Sequence, residues 1–208
     1  MDIHAPDHPI LSFKEFGVHI AVVTVGILIA LGLEGVREVI HDRHLVREAR
    51  ENFHTELSAD REHVQHEIPA VKENNDKLLK LISDLPALQR DHPDQIAARL
   101  LAIENPGYFF ALQSRPTAMS TGALAHMPVE DIQIYASSYG DIQIYTALQK
   151  EAMTAGDRAH AFFLSRPSLT PFELEEGAER ILLFQRTEQT LVNVGKQMQF
   201  GFDHALQL

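Results

Sequence analysis

The sequence predicts an all-α protein: an N-terminal transmembrane helix that continues into an up-and-down helical bundle. Three observations carry this reading. An uncharged apolar run, FGVHIAVVTVGILIALGL, fills Phe16 to Leu33. Beyond it, apolar residues recur at steps of three and four over long stretches. Proline and glycine mark the breaks between stretches, and few segments alternate as a half-buried strand would. The chain thus divides into a polar tail at 1–12, a transmembrane helix at 13–33 and a helical domain at 34–208.

The apolar run spans ~27 Å at ~1.5 Å per residue, close to the hydrocarbon thickness of a bilayer. Lys14 and Glu15 bound one end; Glu34 and Arg37 bound the other. A core helix is the first alternative, but a soluble core rarely needs a helix apolar all the way round. A cleaved signal peptide is the second, and it fits poorly: the leading residues are acidic and the run is long for such a segment. Within the span, Gly17-x-x-x-Ala21 and Gly26-x-x-x-Ala30 are small-residue pairs that permit close helix packing in a membrane. Thr24 can bond to its own helix, and His19 lies one turn from the end. Only Lys14 precedes the span, whereas Arg37, Arg43, Arg47 and Arg50 follow it, so the positive-inside rule favours a cytoplasmic domain on a bacterial inner membrane. The same arginines can reach anionic headgroups.

After the span, Val46, Ala49, Phe53, Leu57, Val64 and Ile68 trace a helical stripe over 34–68, with one turn missing near Asp60. Pro69 is expected to stop this helix. A second is expected from Ala70 to Leu85, carrying Val71, Leu78, Leu81, Ile82 and Leu85 and closed by Pro86. A loop at Asp91-His92-Pro93 precedes a short helix with Ile96, Leu100, Leu101 and Ile103, and Asn105-Pro106-Gly107 is a turn. Residues 108–128 suggest one or two short helices, with Pro116 in a first turn. Pro128 opens a long helix through about Leu164. It contains DIQIY twice, at 131–135 and 141–145; the ten-residue offset turns the copies about 80° apart. Thr170-Pro171-Phe172-Glu173 is a helix start with cap, N1 proline and N3 glutamate. Leu174, Ala178, Ile181, Phe184, Leu191, Val194, Met198, Phe202 and Ala205 then form one stripe, with Gly195 and Gly201 weakening the helix locally.

The formal charge is −11, of which residues 1–33 carry −2. An acidic body with arginines interleaved among glutamates lacks the basic stripe of a nucleic-acid binder. With no cysteine, disulfides, thiolate metal sites and a cysteine nucleophile are excluded. Ser114, Ser120, Ser137 and Ser138 sit in no nucleophile elbow, and no glycine-rich phosphate loop occurs. No catalytic residue and no cofactor is therefore indicated.

Histidines and glutamates crowd residues 38–67. Glu38-x-x-His41 and Glu51-x-x-His54 have the spacing used in di-iron bundles, and His41/His44 and His63/His66 are (i, i+3) pairs suited to zinc or copper. A di-iron site draws its two elements from different helices, whereas these lie on one helix ~20 Å apart. His41, His44 and His66 also fall ~140–200° from Val46, on the face turned from the core. A solvated face is the plainer reading, with His41, His44, His54, His63 and His66 the metal candidates. His126 reads as a satisfied boundary histidine.

Three segments carry a resemblance. They are Gly26-Ile27-Leu28-Ile29-Ala30-Leu31, the run His44-Leu45-Val46-Arg47-Glu48-Ala49-Arg50-Glu51-Asn52, and Thr121-Gly122-Ala123-Leu124. In these the chain resembles a broad group of uncharacterised bacterial single-pass membrane proteins with a GILIAL-type span and a helical C-terminal domain. A tryptophan often precedes Thr-Gly-Ala-Leu in that group; Pro116-Thr117-Ala118-Met119 stands there instead. The resemblance implies an anchor and a helical domain, and no activity. The expected function is a membrane-anchored interaction module (scaffold, accessory subunit or sensor-like domain) whose partners are the bilayer and a protein or a second copy. The alternatives are a metal-binding protein using the 38–67 helix and a ligand-sensing input domain of four-helix type.

Overall fold

One helix, α1, runs from Phe13 to Asp91 without interruption. At ~1.5 Å per residue it is about 120 Å long. The structure, a computed structural model, describes residues 13–103, 107–166 and 168–208. The predicted tail at 1–12, and Asn105 and Pro106 of the predicted turn, lie outside them. From Phe13 to His41 every side chain so described is exposed. Further along, Ala49, Phe53, Leu57, Val64, Val71, Leu78, Leu81, Leu85 and Leu88 are buried on one face.

Two predicted helix ends are corrected here. Pro69 and Pro86 both lie inside α1 and do not terminate it. Each removes one backbone hydrogen bond, a cost of about 3 kcal/mol in a helix interior. Both prolines are on exposed positions, where water can satisfy the freed carbonyls. Burial of the leucines and valines on either side, at ~1.5–3 kcal/mol each, outweighs that cost.

The remaining elements are α2 (Asp94–Leu101), α3 (Ser114–Ser120), a 3-10 turn at Ala123–His126, α4 (Val129–Leu164) and α5 (Pro171–Ala205). Among the described residues there is no strand. Both DIQIY copies are helical, and Tyr135 and Tyr145 are both buried despite their different angles. They can be, because α4 is flanked by α5 and by the side chains of α1.

Cross-links fix the directions. Arg50 bonds to Asp131, Tyr139 to Glu56 and Gln149 to Glu67, so α1 and α4 are parallel. Arg61 meets Asp203 at 2.6 Å and Asn75 meets Gln185 at 2.6 Å, so α5 runs against α1. The segment between α1 and α4 descends along α1: Arg99 contacts Asp84, Tyr108 contacts Asp60, Gln113 contacts Glu56 and His126 contacts Asp42. The result is an up-and-down bundle whose second limb is broken into α2, an irregular strap at 107–113, α3 and the 3-10 turn.

Gly122 has φ +79°, a conformation that glycine adopts without strain, and it lets the chain turn so that Ala123 is buried next to α1. Gly195 lets α5 lie close to its neighbours, since a Cβ there would meet Ile68 and Tyr145 at 3.0–3.2 Å. The predicted start of α5 is confirmed in detail: Thr170 and Glu173 form a reciprocal capping box, with Pro171 at N1. Thr170→Ala is expected to cost about 1 kcal/mol, read as a lower thermal midpoint with unchanged helix content.

Candidate functional site

Four polar residues of α1 follow at i, i+4, i+7 and i+11, so Glu56, Asp60, His63 and Glu67 share one stripe. That stripe faces inward. Asp60 is 0% exposed, and Glu67 and Glu188 of α5 are buried with it. The strap explains the first two acids. Having no regular secondary structure, it leaves its backbone N–H groups without helical partners, and α1 supplies acceptors. Glu56 Oε2 accepts from the N–H groups of Gln113 and Ser114 and from Ser114 Oγ, each at 3.0 Å, which caps α3. Its other oxygen accepts from the Tyr139 hydroxyl. Asp60 accepts from Tyr108, at 3.5 Å, and from the backbone of Ala111.

Asp60 is pushed up to about 7, first by burial and then by the neighbouring Glu56 charge. Its Oδ2 is buried without a hydrogen-bond partner, a position that suits a protonated acid. Glu188 is also pushed up to about 7, by burial and by Glu67, against the hydrogen bond from Asn74. Burial raises Glu67 as well; Gln149, which donates to it at 2.8 Å, pulls the other way. The Tyr145 hydroxyl faces Glu67 and Glu188, and its acidity is suppressed, first by burial. A ring series connects this interior to the strap: His63 stacks on Tyr108 at 3.4 Å, Tyr108 meets Phe110 edge-on at 4.9 Å, and Phe110 meets Tyr145 at 5.8 Å. Chemically, the arrangement sets three carboxyl groups, each with its proton affinity raised by burial, inside the core.

The metal candidates are dispersed. His41, His44, His54 and His66 are exposed on α1, as are Glu38 and Glu51. Arg47 contacts His44 at 3.0 Å. His63 is half-buried, with Nε2 3.5 Å from Glu67. Among the described residues no group of three or more histidine or acidic side chains is placed to hold a metal ion. His126 pairs with Asp42 at 3.3 Å at the boundary of the bundle. Gly17, Ala21, Gly26 and Ala30 are exposed, and a Cβ on either glycine would meet nothing within 4 Å.

Sequence reasoning passed over Asp60, Glu67 and Glu188, though a signal was there. Asp60 fills the missing turn of the α1 stripe, and Glu188 falls between Phe184 and Leu191 of the α5 stripe at helical spacing. An acid at a core position of a periodic stripe marks a buried titratable group. No family model, no curated protein and no solved structure matches this chain.

Proposed function

We propose that this chain is a membrane-anchored helical interaction module of the bacterial inner membrane: a scaffold, accessory subunit or sensor-like domain that binds a protein partner or a second copy of itself. The observation that carries the reading is the continuity of α1. Among the described residues one helix is long and apolar enough to cross a membrane, none of its apolar window is buried, and the same helix supplies one wall of the bundle core. Such a helix holds the bundle at the membrane and transmits tilt or rotation to it without a flexible linker. The resemblance to bacterial single-pass proteins, the small-residue pairs of the span and the arginines that follow it favour the same reading.

The full chain is expected to stay with the membranes through carbonate extraction. Val25→Arg combined with Ile29→Arg, each costing about 2.5–3.5 kcal/mol near the span centre, is expected to release it. A wild-type chain recovered in the carbonate supernatant overturns the anchor. A C-terminal reporter active in the cytoplasm supports the sidedness drawn from the arginines, and one active only outside reverses it.

A second reading has its own support. Asp60 and Glu188, both pushed up to about 7, favour a sensor-like domain whose input is the proton. Proton uptake that leaves the unfolding profile flat between about pH 5 and pH 8 would count against it.

A further inference from the structure

The inner face of α1 changes character where the bundle ends. From Ala49 through Phe53 to Leu57 it is apolar and covered by the core. Around and on the membrane side of Ala49, α1 carries Val39, Arg43, Val46, Arg47 and Arg50, which fall within about 100° of one another at ~100° per residue. Neither long partner helix reaches past this point: α4 starts beside Arg50, through Asp131, and α5 ends near Arg61, through Asp203. Only His126 of the 3-10 turn stands opposite. Between them is a cleft of about 460 Å³, lined by Val39, Asp42, Arg43, Val46, Arg47, Arg50 and His126.

The three arginines are not equivalent. Arg50 is committed to Asp131, and Asp42 Oδ2 lies 3.3 Å from His126 Nδ1. Arg47 contacts His44 at 3.0 Å and Glu51 at 3.9 Å, with the Arg47 and Glu51 side chains largely exposed. Arg43 makes no ion pair among the described residues. Two guanidinium groups thus face a cleft in a chain that is otherwise strongly acidic, and two forked donors match a phosphate.

Position selects the source of that phosphate. Arg43 lies ten residues beyond Leu33, ~15 Å along the helix. Side chains on a helix lean toward its N-terminus, here toward the membrane, so the guanidinium regains several ångströms of that rise. Val36, Val39 and Ile40, all exposed, continue the apolar surface of the span toward the cleft. We infer that the cleft binds the phosphate of an anionic phospholipid from the leaflet adjoining the bundle, with Arg43 and Arg47 as its ligands and Val39, on their membrane side, against the glycerol. A lipid held there fixes the angle between bundle and bilayer.

This inference rests on the anchor reading above, and the two fail separately. The test uses the full chain in dodecyl maltoside micelles, with phosphatidylglycerol or phosphatidylcholine added and retained lipid read by mass spectrometry of the intact complex. Saturable retention of one phosphatidylglycerol is expected, with phosphatidylcholine retained at least about tenfold less well. Arg43→Gln with Arg47→Gln is expected to remove that preference while circular dichroism is unchanged, and Arg43→Lys with Arg47→Lys is expected to keep part of it. Equal retention of both lipids, or a preference untouched by the glutamine pair, overturns the cleft while leaving the anchor standing. Displacement by soluble glycerol phosphate overturns the lipid as its source. Release of the chain by carbonate overturns the anchor itself.

Discussion

Raising the pH from about 4 to about 8 is expected to destabilise the folded chain, the reverse of ordinary acid denaturation. Asp60 and Glu188 bind a proton more tightly folded than unfolded: each moves from an ordinary 3.8 or 4.5 to about 7. Below those ordinary values both states are protonated and the contribution is complete. Between them and about 7 the folded state holds protons that the unfolded state has released, so stability falls with rising pH. Above about 7 the buried groups must ionise where solvation is poor, and the contribution is gone. Each group is worth on the order of 3 kcal/mol across that window. Glu67, raised in the same direction, adds to the trend.

Opposition comes from the surface. The hydrogen bond from Lys77 holds Glu73 below its ordinary 4.5, and the Thr170 backbone does the same for Glu173. Their contributions are lost only as the pH falls below that value, outside the window. The measurement is denaturant unfolding of the full chain in detergent across the pH range. Asp60→Asn and Glu188→Gln are each expected to remove a substantial part of the slope, but not all of it, even when combined. A profile that rises with pH would mean that these acids are ionised and well paired inside the fold.

Phe53→Ala is expected to cost about 3–5 kcal/mol. Phe53 is fully buried, stacks on Tyr135 at 4.2 Å and meets Tyr139 edge-on at 5.9 Å. Truncation leaves a cavity in the seam between α1 and α4, where large side chains do the bridging. The polar links on either side of the ring, Arg50 to Asp131 and Glu56 to Tyr139, depend on the spacing it holds. Phe53→Leu, which keeps most of the volume, is expected to cost about 1–2 kcal/mol. Phe109→Ala is the control, because Phe109 is exposed and its loss is expected to change stability by no more than ~0.5 kcal/mol. An effect of Phe53→Ala below about 1 kcal/mol would show that the seam is not where the bundle is held together.

Local chemistry made much of the architecture legible in one dimension. The bounds of α4 and α5 follow from Pro128 and from the Thr170–Glu173 box, which act within one turn of the chain. The α5 stripe from Leu174 to Ala205 is inward-facing because a 3.6-residue period leaves a helix only one apolar side to bury. An uncharged run of membrane length needs no partner to be recognised, since its length and composition alone carry the signal.

Other features were decided by contacts between residues far apart in the chain. Pro69 and Pro86 carry a local penalty that reads as a stop, and only the packing of Val64, Val71, Leu85 and Leu88 against the other limbs outweighs it. The strap at 107–113 has no period of its own; its path follows from the carboxyl groups of Glu56 and Asp60, about 50 residues earlier, which accept its amides. The acids at 60, 67 and 188 are ordinary surface residues by type, and the fold alone buries them and raises their proton affinity. By itself the sequence determined the helices, their inward faces and the apolar span, because those depend on neighbours within a few turns. The tertiary structure decided the length of α1, the course of the strap and the burial of the core acids, because desolvation and amide pairing exist only once distant segments meet.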